Sequence, residues 1–278
     1  MFYLLLAILS SAAFSLCTRL SSHKVKSQLG MLAVNYISCL IIAWCYTGFS
    51  APFPRHEALL PTIGMGIVQG VFFMVCYLLL QRNIKQNGVV LSATFMKLGL
   101  LVPMAVSVFL FGEKPTILQL LGFLIAAVAI VLINSDGKNS AVQSRTGLIL
   151  LLLMAGGADA MSKVFEEWGE PALSSNYLLY AFITALIMGI AAMLIKGERP
   201  GKYEIGFGLL VGIPNYFSAK FLLDALEYVP AVITYPTCNV GAILVVTLAG
   251  ILFFREKLTR RQVLAIGIIL VALVLLNL

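Results

Sequence analysis

Apolar residues fill this chain in long runs, and polar residues interrupt them at near-regular intervals. The runs cover residues 2–20, 29–48, 59–81, 88–111, 116–134, 147–165, 173–195, 204–227, 231–253 and 259–277. Each supplies the roughly 20 apolar residues that a helix needs to cross a hydrocarbon layer about 30 Å thick. Gly, Pro or charge marks the connections, as between Gly48 and Pro54, Asn134 and Arg145, and Lys196 and Lys202. The pattern predicts an all-α integral membrane protein of ten transmembrane helices, without a soluble domain. The first run lacks a basic leading region and a small-residue cleavage site, so it reads as a mature helix and not as a signal peptide.

The runs repeat. Glu113, Lys114, Thr116, Gln119, Val128, Ala129 and Asn134 recur 143 residues later as Glu256, Lys257, Thr259, Gln262, Val271, Ala272 and Asn277. Ile63-Gly64-Met65-Gly66 with Gly70 matches Ile205-Gly206-Phe207-Gly208 with Gly212. Leu32, Asn35-Tyr36 and Gly48 match Leu173, Asn176-Tyr177 and Gly189, and Arg19 answers Lys163. The chain therefore divides into a first five-helix repeat, 1–135, a connecting loop, 136–145, and a second five-helix repeat, 146–278. An odd number of spans per repeat makes the two insert with opposite orientation, giving two inverted five-helix repeats. Bundles of this build place their working site between the repeats.

Composition supports the class. The 278 residues are 60% hydrophobic and only 11% charged, with mean hydropathy +0.99. A soluble domain carries about 25% charged residues. The net charge of +7 is concentrated in connections. Those after odd-numbered spans hold Arg19, Lys24, Lys26, Arg82, Lys85, Lys138, Arg145, Lys196, Arg199, Lys202, Arg255, Lys257, Arg260 and Arg261. Those after even-numbered spans hold Arg55, Lys114 and Lys163. The positive-inside rule places the odd connections in the cytoplasm and both termini outside. The basic excess thus faces an anionic leaflet and does not argue for nucleic acid as a partner. The five cysteines, Cys17, Cys39, Cys45, Cys76 and Cys238, all lie in apolar runs and read as small buried hydrophobes. His23 and His56 sit in separate connections, so no metal or Ser-His constellation is expected, and no cofactor.

Ten spans in two five-span halves, with Glu-x-x-Thr entering the last span of each half, resemble the EamA-like branch of the drug/metabolite transporter superfamily. In that family the first span of each half tends to carry Trp-Gly, with Lys seven residues after the Gly. Gly156 and Lys163 fit the second copy, Ala12 and Arg19 stand in the first, and Trp is absent from both. The resemblance implies transport, with efflux of amino acids and other metabolites common among relatives, and a bacterial inner or plasma membrane. Many relatives are described with both termini in the cytoplasm; the charge count gives this chain the opposite arrangement.

Ionisable groups inside spans cost roughly 2.5–3.5 kcal/mol each on insertion scales and usually face a cavity or a partner. Lys97 lies in the fourth run with no carboxylate at i±3 or i±4. Lys220 has Asp224 four residues on, and Asp159 has Lys163. Each of those pairs reads either as an internal salt bridge or as part of a cavity. Lys97 and Lys220 are the candidates for holding a substrate carboxylate or phosphate. Asn215, Tyr216, Tyr235, Thr237 and Asn239, beside Pro214 and Pro236, are candidates for reading the rest of the solute. Asp159 and Asp224 are the candidates for ion coupling, or for binding an organic cation. Glu113 and Glu256 read as structural, each favouring the positive end of the following helix with Thr116 or Thr259 as cap. The glycine pairs Gly66/Gly70 and Gly208/Gly212 read as close-packing faces.

Three classes of function follow. A secondary transporter of a small polar solute needs the repeat and the intramembrane charges. A membrane enzyme needs a nucleophile–base or metal set at depth, and none is found. A structural or regulatory multispan subunit needs neither lysine. A Gly-x-x-x-x-Gly-Lys-Ser/Thr phosphate loop is absent, so ATP is not the direct energy source.

Overall fold

The protein is described by a computed structural model covering residues 1–21, 24–48, 53–134, 144–254 and 260–276. Glu256, Lys257, Thr259, Asn277 and most of the central loop lie outside the described residues. Among the described residues the elements are helical: α1 (Phe2–Ser21), α2 (Gln28–Tyr46), α3 (Leu59–Leu98), α4 (Leu101–Phe109), α5 (Ile117–Asn134), α6 (Arg145–Trp168), α7 (Ser174–Ile195), α8 (Lys202–Leu226), α9 (Ala231–Phe254) and α10 (Arg260–Leu276). A 3-10 turn, Pro171–Leu173, leads into α7. Among the described residues eight segments are long and apolar enough to cross a membrane, and the apolar parts of α5 and α10 are shorter.

The third and fourth spans are less separate than the sequence pattern suggests. Helical structure continues through Arg82 and Lys85, and the break falls on Gly88 alone, at φ 82 and ψ 165. Only glycine adopts that region without strain. It divides Leu59–Val89 from Leu91–Phe109. The fourth span is itself interrupted at Gly99-Leu100. Pro103 has no N–H to offer the Gly99 carbonyl, which accepts instead from the Val102 N–H at 2.9 Å.

The described chain forms two compact units. One contains residues Met1–Met74 and Val164–Glu227, the other Val75–Lys163 and Tyr228–Leu278. Each unit draws helices from both sequence repeats. In the first, α8 packs against α1 and α2, and α2 against α7. In the second, α5 packs against α10, and α9 against α4, α5 and α10.

Small residues account for the close approaches. A Cβ on Gly66 would lie 2.7 Å from Tyr180 Cβ, and one on Gly70 2.4 Å from the Ala181 carbonyl, both in α7. A Cβ on Gly208 would lie 2.6 Å from Val34, and one on Gly212 2.4 Å from Ser38, both in α2. The matched glycines of the third and eighth spans thus seat α3 on α7 and α8 on α2, each on a helix of the other repeat. Repeat-related residues also meet directly. Ala126 and Ala129 of α5 share a buried cluster with Ile269 and Ala272 of α10, their counterparts 143 residues on.

Polar side chains complete several helix starts. Ser144 caps α6, accepting the Gly147 N–H at 3.1 Å, and is held by buried Asn87 of α3, which accepts the Ser144 N–H at 3.0 Å. Ser27 caps α2, accepting the Gly30 N–H at 2.9 Å. Glu204 of α8 accepts from the Lys26 and Ser27 N–H groups at 2.7 and 3.1 Å. These carboxylate and amide links join segments distant in sequence.

The glycine packing yields a direct test. Gly70→Ala and Gly212→Ala force a methyl into backbone or Cβ atoms of the neighbouring helix and should each cost about 1–3 kcal/mol, the usual penalty of overpacking. Gly64→Ala and Gly206→Ala, whose added Cβ would meet nothing within 4 Å, should leave the melting temperature in detergent unchanged or slightly raised. Equal losses in both sets would refute the close-packing role.

Candidate functional site

The candidate residues divide between the two units. Lys97, Asp159, Tyr235, Thr237 and Asn239 belong to the second, and Asn215, Tyr216, Lys220 and Asp224 to the first.

In the second unit the chain brings a cation and a carboxylate to the face of α9. Tyr235, Cys238 and Asn239 recur at helical spacing, i, i+3 and i+4. Lys97 Nζ donates to Asn239 Oδ1 at 3.2 Å. The Asn239 amide nitrogen donates to the Tyr235 carbonyl at 3.1 Å, which fixes the amide's orientation. The Tyr235 hydroxyl donates to the Asp159 backbone carbonyl at 2.7 Å and ties α9 to α6. Lys97, the Asp159 carboxylate and Cys238 lie within electrostatic range of one another. Cys76 lies within electrostatic range of Asp159 as well. Among the described residues Lys97 has no carboxylate within 4 Å, and the Asp159 carboxylate makes no hydrogen bond or ion pair. Lys97, Asp159 and Asn239 are each half-buried, while Tyr235 is fully buried. Thr237 is buried with its hydroxyl unpartnered among the described residues.

The helix break at Gly99 lies half a turn beyond Lys97. A Cβ on Gly156 would stand 2.2 Å from the Gly99 carbonyl, so the backbones of α3 and α6 touch there. Gly156 thereby brings Asp159, less than one turn further along α6, toward the Lys97 segment.

Of the two readings open for Asp159 and Lys163, the internal salt bridge is not the one formed among the described residues: Lys163 pairs with Glu113. Its ammonium binds Glu113 Oε1 at 3.0 Å, with both side chains largely buried, and lies 5.9 Å from the Phe111 ring centre. The expected role of Glu113 changes with it. Its oxygens accept from the Ala231 and Val232 N–H groups at 3.0 and 3.2 Å, at the start of α9 and not of α5. The start of α5 is served by Thr116 and Gln119, which bond reciprocally at 3.2 and 3.0 Å in a capping-box arrangement. The corresponding expectation for Glu256 and Thr259 lies outside the described residues.

In the first unit Lys220 bonds Asp224 directly along α8, the internal salt bridge that their spacing allows. Tyr216 precedes Lys220 by one turn. Its ring is buried against Tyr46, Phe182 and Phe217, with centroids 5.5–6.0 Å apart, and its hydroxyl is unpartnered among the described residues. Asn215 donates to Asn35 Oδ1 at 3.3 Å and to Cys39 Sγ at 3.6 Å. Sequence reading passed over Asn35, Cys39, Cys76 and Cys238 as participants. The period of α9 was the one available signal, since Cys238 shares the face of Tyr235 and Asn239.

Among the described residues no group of three or more His, Cys, Asp or Glu side chains is placed to hold a metal ion.

Ten apolar helices built from two repeats, with charged groups held at membrane depth, define a multi-pass membrane protein of the transporter type. The model of the EamA-like transporter family matches residues 1–135 and 146–278. The chain belongs to that family, and through it to the drug/metabolite transporter superfamily. It is 22% identical over 268 residues to an uncharacterized protein of Haemophilus influenzae, covering 92% of this chain and 91% of the relative. A crystal structure of a protein 14% identical to it aligns over 99% of this chain and 94% of its own, with a TM-score of 0.70, and shares the fold.

The Lys97–Asn239 bond carries a testable energy. Asn239→Leu leaves a half-buried ammonium without its acceptor and should cost about 1–3 kcal/mol. Lys97→Met combined with Asn239→Leu should recover most of that loss in thermal unfolding. A double variant no more stable than Asn239→Leu alone would show that the two side chains are not coupled.

Proposed function

We propose that the protein is a secondary transporter of small polar metabolites bearing a carboxylate or phosphate, an amino acid being the plainest case. Family membership supports transport over enzymatic chemistry. The observation that carries the substrate class is Lys97, a half-buried ammonium at membrane depth whose bonded partner is a neutral amide. A charge so placed keeps the capacity to bind an anion, because no carboxylate among the described residues lies within 4 Å to neutralise it. Lys220 is already engaged by Asp224 and contributes less. Lys97 holds the anionic group, while Asn239 and Tyr235 position it. Thr237 contributes a polar contact within the same unit, and Asn215 and Tyr216 stand as separate candidates in the first unit. Asp159 either receives a substrate ammonium or carries a coupling proton, and Asp224 serves the latter role only if it leaves Lys220. The repeats move against each other by alternating access, and the direction is efflux.

A second reading rests on Asp159. Its carboxylate has no hydrogen bond or ion pair among the described residues, and it would bind an organic cation in a chain that exports such compounds. The test compares the spent medium of cells expressing the wild-type chain with that of cells expressing Lys97→Ala at matched membrane levels. A carboxylate- or phosphate-bearing metabolite should accumulate with wild type and fall to the background of untransformed cells in the variant. Enrichment of a cation that survives Lys97→Ala and is lost in Asp159→Asn would select the second reading. Transport indifferent to Lys97 and Asp159 would overturn both, and a lack of any transport would leave the structural-subunit reading.

The protein sits in the inner or plasma membrane with both termini outside; the Lys and Arg distribution supports this orientation. An alkaline phosphatase fused after Leu278 should be active, and a green fluorescent protein at the same point dark. The reverse pattern would invert the topology.

A further inference from the structure

The bonds of Glu113 assign it a task that its place in the chain does not suggest. Helix α9 starts at Ala231, directly after Pro230. The Pro230 carbonyl accepts from the Ile233 and Thr234 N–H groups, both at 3.0 Å. The N–H groups of Ala231 and Val232 remain, and the two Glu113 oxygens take one each. Gly112, at φ 70, turns the chain ahead of Glu113, and the Glu113 N–H donates to the Ser107 carbonyl at 3.0 Å. The carboxylate is therefore held at its own backbone, at the start of α9 and at Lys163 of α6.

This makes a two-point registration of α9 on α6. Lys163, through Glu113, holds the first turn of α9. One turn earlier on α6, the Asp159 carbonyl holds Tyr235, one turn later on α9. The next turn of α9 carries Asn239, which holds Lys97. Contacts one helical turn apart on each partner set the axial position of α9 against α6, and with it the relation of Lys97 to Asp159. A slip of α9 by one residue, about 1.5 Å along its axis and roughly 100° around it, would carry Asn239 away from the Lys97 ammonium.

We infer that Glu113 and Lys163 are positioning residues for the Lys97–Asp159–Asn239 site: their ion pair anchors α9 and so sets how that site is presented, without either residue touching the solute. The inference names its site from the transport reading, but the registration itself can be measured without a transported solute.

Cys238 is the reporter, because it lies on α9 between Tyr235 and Asn239 and is 9% exposed. The purified full chain in detergent is treated with N-ethylmaleimide, and labelling at each cysteine is followed by peptide mass spectrometry. Cys45, exposed in the first unit, is the reference, and fully buried Cys39 reports loss of the fold. In Glu113→Ala the Cys238 rate relative to Cys45 should rise about fivefold or more, the factor by which loss of an ordinary helix cap favours local opening. Glu113→Gln, which keeps an acceptor and loses the charge, and Lys163→Met should give smaller rises. Throughout, Cys39 should stay unlabelled. An unchanged Cys238 rate in Glu113→Ala overturns the inference. So does a rise in which Cys39 and Cys238 become reactive together in all three variants, since that is general unfolding. If only Glu113→Ala loses its fold, Glu113→Gln decides: a rise confined to Cys238 supports the inference, and no rise overturns it. A failure of the transport reading alone leaves the labelling result unaffected.

Discussion

The first N–H groups of a helix have no acceptor within it, and each one buried without a partner costs free energy. The helix starts of this protein show how that constraint is met. The beginnings of α2, α6 and α9 are closed by side chains that arrive from other segments: Glu204 on Lys26 and Ser27, Asn87 on Ser144, and Glu113 on Ala231 and Val232. The two that use a carboxylate, Glu204 and Glu113, are charge-assisted and stronger than neutral caps. They also hold helices together that are distant in sequence, so satisfying a helix end and assembling the unit become one event.

The second constraint is contact distance. Lipid offers no hydrophobic gain for burying one apolar helix against another, so packing relies on close van der Waals approach. Gly66 and Gly70 of α3 against α7, Gly208 and Gly212 of α8 against α2, and Gly99 against Gly156 are points of tight approach. The first two pairs are repeat-related, and each seats its helix on one from the other repeat. Duplication therefore does not produce two separate halves side by side. It produces units in which equivalent helices are shared, as the α5–α10 cluster of Ala126, Ala129, Ile269 and Ala272 also shows.

Charge at depth is arranged differently in the two units. Lys220 and Asp224 neutralise each other within one helix, which lowers the cost of placing them there. Lys163 and Glu113 are likewise matched, and their pairing is spent on α9. Lys97 and Asp159 are left with an amide and a weaker mutual attraction. An incompletely neutralised pair is the arrangement best able to exchange one partner for a bound solute.

The ten apolar runs, the duplication and the family were legible in the chain because they are properties of composition, period and spacing. The packing role of Gly66, Gly70, Gly208 and Gly212 was legible too, since small residues repeated at one-turn spacing have few other uses in a membrane helix. Partner choice was not. An i,i+4 spacing allowed both Lys220–Asp224 and Asp159–Lys163, and only the first forms, because Glu113 reaches Lys163 from a connection 50 residues away in sequence. Local spacing limits which neighbours on a helix can meet, whereas the tertiary structure decides which side chain from elsewhere offers the better bond. The same holds for the interruption of the fourth span. Pro103 announces a bend, but the opening it leaves at Gly99 has meaning only because Gly156 of another helix enters it.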